Sequence, residues 1–217
     1  MTEWTLQGIL TKQWSECGLM LEGQRNMLAA WEVMVPSWDI NDATIRWNEP
    51  SIDFLAVDIQ QRFTAIEVKR GVFGIKPVWQ VLCQVTHRAV ELDKTFTYQN
   101  LDRAYRACRS GHHGRVPRCV PESFGDSFKA FFGTEFDGQK RSLMRACVAA
   151  AEFGESWHEI LDEFNSLSAI QLRAKMCSEL TSVQARRDLT RIKGVCDEGN
   201  LPINNPILAL PLEYFAN

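Results

Sequence analysis

The sequence predicts an α/β fold: a central mixed β-sheet flanked by helices, with helical additions at the C-terminus. Three observations carry that expectation. Residues 52–58 and 63–69 are two β-rich runs split by the polar turn Ile59-Gln60-Gln61-Arg62. Residues 79–92 follow with a helical apolar stripe through Leu82, Val85, Ala89 and Leu92. Beyond residue 92 the chain reads as mostly helical, with one further strand candidate. No internal repeat, low-complexity tract or clear linker interrupts it. Residues 1–217 are therefore expected to form one domain, with a core over about 20–165 and a helical extension over about 166–217.

Taken in order, Met27, Leu28 and Trp31 fit the apolar face of a helix that follows Glu22 and stops at Pro36. The runs at 52–58 and 63–69 then read as adjacent strands. Gly71 and Gly74 suit a turn, and Pro77 fits the first turn of the next helix. On that helix Gln80, Gln84 and Arg88 recur every four residues and share a face. Gln84, His87 and Arg88 are read there as a solvated surface. Residues 99–109 and 122–132 predict two helices around a loop at 111–121. Residues 143–150 are a strand or a buried helix, which periodicity alone cannot separate. An amphipathic segment at 157–164 and two helices over 172–192 follow, and the tail at 201–211 is too rich in proline to be regular.

With 45% hydrophobic and 24% charged residues, the composition is that of ordinary globular protein, and 217 residues suffice for a substantial core. No apolar run reaches the roughly 18 to 20 residues of a membrane span, and the N-terminus lacks a basic-then-apolar signal. The expected location is the cytoplasm. Seven scattered cysteines fit free thiols in a reducing compartment better than a disulfide framework. Cys108, His112, His113 and Cys119 have residue types that zinc accepts but lack its paired spacing.

The chemistry concentrates in Pro50-Ser51-Ile52-Asp53 and Ile66-Glu67-Val68-Lys69. Side chains alternate along a strand, so Glu67 and Lys69 share one face while Val68 points the other way. Charges on an otherwise apolar strand lose burial energy unless they are used. Asp53, opening the preceding strand, reaches the same end of the pair, and two carboxylates suit Mg²⁺, which takes a few hard oxygen ligands and keeps waters.

Asp53, then Glu67-x-Lys69 fourteen residues on, resembles the catalytic core of the PD-(D/E)xK nuclease superfamily, over roughly residues 20–92. The resemblance implies a restriction-endonuclease-like core and a Mg²⁺- or Mn²⁺-dependent nuclease acting on DNA, with RNA a lesser expectation. It implies Asp53, Glu67 and the Val68 carbonyl as metal ligands, Lys69 orienting or deprotonating the attacking water, and Gln80 supporting the site from the next helix. It also implies an acid from a preceding helix, for which Glu22 is favoured over Glu32. Gln84 stands where some relatives carry a tyrosine, which weakens assignment to that subgroup. The corresponding alternative is a nuclease-like domain without activity that binds nucleic acid or a protein partner.

A net charge of −3 does not exclude a polyanion, because distribution matters more than the sum. Residues 103–118 hold Arg103, Arg106, Arg109, Arg115 and Arg118 with no acid, and are a candidate phosphate-binding segment. No separate specificity domain is evident, so targeting falls to a homodimer or a partner subunit.

Overall fold

Leu6, Leu10 and Trp14 recur every four residues and bury one stripe of a helix, α1 (Glu3–Cys17). Thr2 caps it, its hydroxyl accepting the Thr5 amide at 3.1 Å. The helix stops at Gly18, whose φ of 75° suits glycine and where a Cβ would lie 2.6 Å from the Asn26 carbonyl oxygen and the Phe131 ring. The computed structural model describes residues 2–35, 38, 51–73, 78–111, 122–139, 144–167, 171 and 207–212.

The helix expected after Glu22 does not form, and residues 19–34 are extended instead. They form a hairpin of β1 (Leu19–Leu21) and β2 (Gln24–Met34), joined at Glu22 and Gly23 with φ of 48° and 72°, the two left-handed residues of a type I′ turn. Met27 to Val35 is apolar at every position but Glu32 because β2 is buried on both faces. A doubly buried strand has no period-two signal, so a helical stripe can be picked from it by chance.

The remaining strands are β3 (Ser51–Asp58), β4 (Phe63–Phe73), β5 (Arg145–Phe153) and β6 (Leu208–Pro211), and the helices are α2 (Val78–Lys94), α3 (Tyr98–Arg109), α4 (Phe124–Phe132) and α5 (Trp157–Ser166). The sheet is mixed, in the order β1-β2-β3-β4-β5-β6. β1 to β4 form an antiparallel meander, while β5 runs parallel to β4 and β6 parallel to β5. A parallel pair needs a long crossover, and α2, α3 and α4 lie in it. α1 packs on β2 and β4, α2 on β3, β4 and β5, and α3 on β2. Within the ambiguous run at 143–150, residues 145–150 are thus strand, and β5 is buried along most of its length as an interior parallel strand should be.

Two further expectations change. The turn placed at 70–74 does not form within the described residues, because β4 continues to Phe73. Gly71, at φ 85°, instead lies in a bulge where the register slips between Lys69↔Ala150 and Val72↔Glu152. In the proline-rich tail, residues 208–211 pair with β5. The Ile207 amide donates to Asn165 Oδ1 at 2.8 Å, and Asn165 Nδ2 donates back to the Ile207 carbonyl at 3.4 Å, which ties the edge strand to α5. Pro211 is tolerated there as an end residue of a strand on the sheet's edge. The helices expected over 172–192, most of the C-terminal extension, and Pro36, Gly74 and Pro77 lie outside the described residues.

The core holds an aromatic cluster of Phe63, Phe96, Phe124, Phe128 and Phe136, and Trp14 of α1 meets Phe54 edge-on at 4.9 Å. No helix among the described residues is long and apolar enough to cross a membrane. The described cysteines, Cys17, Cys83, Cys108 and Cys147, are free thiols.

Candidate functional site

β3 and β4 pair from Val57↔Phe63 to Phe54↔Ile66, and the ladder ends there. One residue further, where Asp53 comes opposite Glu67, the Val68 amide donates to Asp53 Oδ2 at 2.7 Å. A side chain has replaced a strand-to-strand bond, and the strands fork. Meanwhile β4 stays paired with β5 through Lys69↔Ala150, so Glu67 and Lys69 remain on a fixed strand, with the Gly71 bulge just beyond them.

Both carboxylates are held. Gln7 Nε2, from α1, donates to Asp53 Oδ1 at 2.9 Å. Lys69 Nζ donates to Glu67 Oε1 at 2.8 Å, and Arg88 of α2 donates to Glu67 Oε2. Lys69 also lies 3.8 Å from Glu3 Oε1. Glu67 is 4% exposed, whereas the Lys69 side chain is 26% exposed and forms the wetter side of the cluster.

The two acids are driven apart in acidity. Burial, and then the negative charge of Glu67, push the Asp53 carboxyl well above the usual carboxylate range, against the opposing pull of Lys69, the Val68 amide and Arg88. Burial would raise Glu67 as well, but Arg88 and Lys69 outweigh it and hold that carboxyl below its ordinary value. Burial alone would lower Lys69, yet Glu67 and Asp53 raise it, so the ammonium keeps its proton. A polar cluster with one acid pushed up and its neighbour pulled down has the form of an acid and base assignment.

Two neighbouring carboxylates are hard oxygen donors of the type that Mg²⁺ or Mn²⁺ takes. All four of their oxygens already accept a hydrogen bond, from Gln7, the Val68 amide, Lys69 and Arg88, which an arriving cation would share or displace. Asp53 and Glu67 would hold it, with the Val68 carbonyl and water completing the set. Among the described residues no group of three or more His, Cys, Asp or Glu side chains is placed to hold a metal, so side chains alone would not saturate it.

Glu22 lies elsewhere. It sits in the β1–β2 turn, not on a helix, and accepts from Arg145 NH1 at 3.1 Å; Arg145 pairs with Thr64, near the hairpin end of the β3–β4 ladder, whereas Glu67 lies just past its other end. Glu32 lies within β2, not on a helix. The acid that a preceding helix brings to the cluster is Glu3. Gln80 is partly buried in the first turn of α2, and no hydrogen bond joins it to Asp53, Glu67 or Lys69. Two turns on, along the same stripe, Arg88 makes the contact, and it is not the solvated residue that the sequence suggested. His87 is buried as well.

Of the basic segment, Arg103 and Arg106 line an open depression of about 560 Å³ on α3 with Gln99, Asp102, Ala107 and Ser110, and Arg106 pairs with Asp102 at 2.7 Å. Arg109 turns inward, donating to the Leu28 carbonyl at 3.4 Å and packing 5.2 Å from the Tyr105 ring. Arg115 and Arg118 lie outside the described residues.

Gln7, Glu3 and Arg88 were missed from sequence. The signal for α1 was present in Thr2, the Leu6-Leu10-Trp14 stripe and Gly18. The signal for Arg88 was its place one turn beyond Gln84 on the Gln80 stripe. Compared with known proteins, the chain matches no family model, no curated protein and no solved structure.

Proposed function

We propose that this chain is a Mg²⁺- or Mn²⁺-dependent endonuclease that hydrolyses phosphodiester bonds in DNA, built on a restriction-endonuclease-like core. One observation carries the reading. Asp53, Glu67 and Lys69, singled out by spacing, converge at the β3–β4 fork, and two helices supply the groups that brace them.

Asp53 and Glu67, with the Val68 carbonyl, would hold a divalent metal, which would supply Lewis acidity and a bound water of lowered pKa. Lys69 keeps its charge, so it orients the water and stabilises negative charge growing on the phosphate, and does not accept a proton. Gln7 and Arg88 fix the two carboxylates from opposite elements, and Gln80 supports the water from the head of α2. Arg103 and Arg106 bind backbone phosphates; Arg109, turned inward, does not.

One observation favours a second reading, a nuclease-like domain without activity that binds nucleic acid or a protein partner: Lys69 and Arg88 each take one Glu67 oxygen. Cleavage of supercoiled plasmid and of labelled single-stranded DNA and RNA, with Mg²⁺, Mn²⁺ or EDTA, separates the two. The nuclease reading expects metal-dependent cutting that Lys69→Ala slows by about 100-fold or more. Equal rates in the variant would sink the mechanism, and DNA binding without cutting under any metal would select the inactive domain.

A further inference from the structure

Each carboxylate oxygen at the fork accepts a hydrogen bond, and the donors on the two acids differ in charge. On Asp53 both are neutral, the Gln7 side-chain amide at 2.9 Å and the Val68 backbone amide at 2.7 Å. A neutral donor does not repel a cation, and each carboxylate oxygen has room for a second partner, so both bonds can persist beside a metal. On Glu67 both donors are cations, Lys69 on Oε1 at 2.8 Å and Arg88 on Oε2. A divalent ion that took a Glu67 oxygen would bring its charge against two cations already seated on a buried acid. Like charges that close disfavour one another, and one of the cations has to give way.

Lys69 is the one placed to stay. It stands two residues from Glu67 on the same face of β4, in a stretch that β5 keeps in register, and it has a second acid, Glu3, at 3.8 Å. Arg88 reaches Glu67 from another element, at the end of a long side chain on α2 that is 16% exposed. A guanidinium does not lose its proton in a protein, so it cannot relieve the repulsion by becoming neutral. It can only move.

We propose that Arg88 is the exchangeable counter-ion of the metal site: it neutralises Glu67 Oε2 until a divalent cation takes that oxygen, and then leaves it. The proposal rests on the nuclease reading. It makes Arg88 a gate on metal affinity, and it lets the chain fold without leaving a buried carboxylate unpaired before metal arrives.

The test is Mn²⁺ binding to the full chain, read from the free-ion signal in electron paramagnetic resonance, for the parent, Arg88→Gln and Arg88→Lys, each with and without Asp53→Asn. Arg88→Gln removes the competing charge and should tighten Mn²⁺ binding by about tenfold, the scale of one charge-assisted hydrogen bond. Arg88→Lys keeps the charge and should bind close to the parent. Adding Asp53→Asn should abolish the gain, which assigns it to the fork. If Arg88→Gln does not fold, the parent carries the test: its Arg88 guanidinium NMR signals, assigned by their loss in Arg88→Lys, should pass from hindered to free rotation when Mg²⁺ is added. Mn²⁺ affinity in Arg88→Gln equal to or below that of the parent, or guanidinium signals unmoved by saturating Mg²⁺, would overturn the exchange. The nuclease reading would still stand if the parent binds Mn²⁺ and Asp53→Asn does not. No Mn²⁺ bound by the parent or by Arg88→Gln, or binding indifferent to Asp53→Asn, would overturn both.

Discussion

The two ends of the β3–β4 ladder each carry buried charge, and they differ in how that charge is balanced. At the first end Asp58 is fully buried. Its Oδ1 accepts the Gln60 and Arg62 amides at 2.9 Å each, and its Oδ2 accepts Arg62 Nε at 2.7 Å with Arg145 NH2 3.6 Å away. Arg145 in turn donates to Thr64 and Glu22. One acid meets two guanidinium groups and two turn amides, and the network closes the β3–β4 hairpin. At the other end two acids share one neighbourhood, and the charge of Glu67 pushes Asp53 upward. The first cluster holds the fold together. The second keeps a repulsion that folding alone does not require, and it is on this contrast that the proposed site rests.

The largest expected effect falls on the structural end. Asp58→Ala leaves Arg62, Arg145 and the turn amides without their acceptor and should destabilise the fold by about 3–5 kcal/mol, measured by urea unfolding. A loss below 1 kcal/mol would show that the network is not what secures the hairpin.

At the fork, Arg88→Met leaves buried Glu67 with Lys69 alone and should lower stability by about 2 kcal/mol near neutral pH. Glu67 sits below its ordinary value of 4.5 in the folded chain, so its contribution is present above that pH and fades as pH falls through the lowered value. The deficit of the variant should therefore shrink in acid. A deficit independent of pH would assign Arg88 a packing role only.

Asp53→Asn should have the opposite sign. Asp53 is raised on folding, so its stabilising contribution is complete below the unfolded carboxyl value of 3.8 and is lost as pH rises through the folded one. Without added metal, the variant should melt with the parent near pH 3 and several degrees above it near pH 8. Asn still offers one oxygen to the Val68 amide, and Gln7 can turn its amide to accept from the new donor. A variant less stable than the parent at pH 8 would mean that repulsion at the fork is not the dominant effect.

The smallest expected effect on stability is at the α3 depression. Arg103→Ala with Arg106→Ala should leave the melting temperature unchanged, since the Arg106–Asp102 pair is exposed. Binding should weaken across all DNA sequences alike, with a shallower salt dependence. An unchanged salt slope would remove α3 from the interface.

Much of this contrast was legible in the chain. The Asp53 and Glu67-x-Lys69 spacing located the fork because β3 and β4 are joined by a short turn, and register follows from local sequence there. Helices over 79–92, 99–109, 122–132 and 157–164 were visible because each keeps polar residues on its outer face. The doubly buried strands were not. β2 looked helical, and β5 was ambiguous, because burial on both faces erases the alternation that identifies a strand. The partners of the acids were the hardest to read. Gln7 lies 46 positions from Asp53 and Arg88 lies 21 from Glu67, and only the packing of α1 and α2 on the sheet brings them together.

The most direct test of the central claim is to place Asp53→Asn and Asp58→Asn side by side in metal-dependent DNA cleavage, at a temperature where both are folded by circular dichroism. The account predicts that Asp53→Asn, though the more stable protein, loses cutting by about 100-fold or more, while Asp58→Asn cuts at close to the parental rate despite its weaker fold. Parental cutting by Asp53→Asn would contradict it.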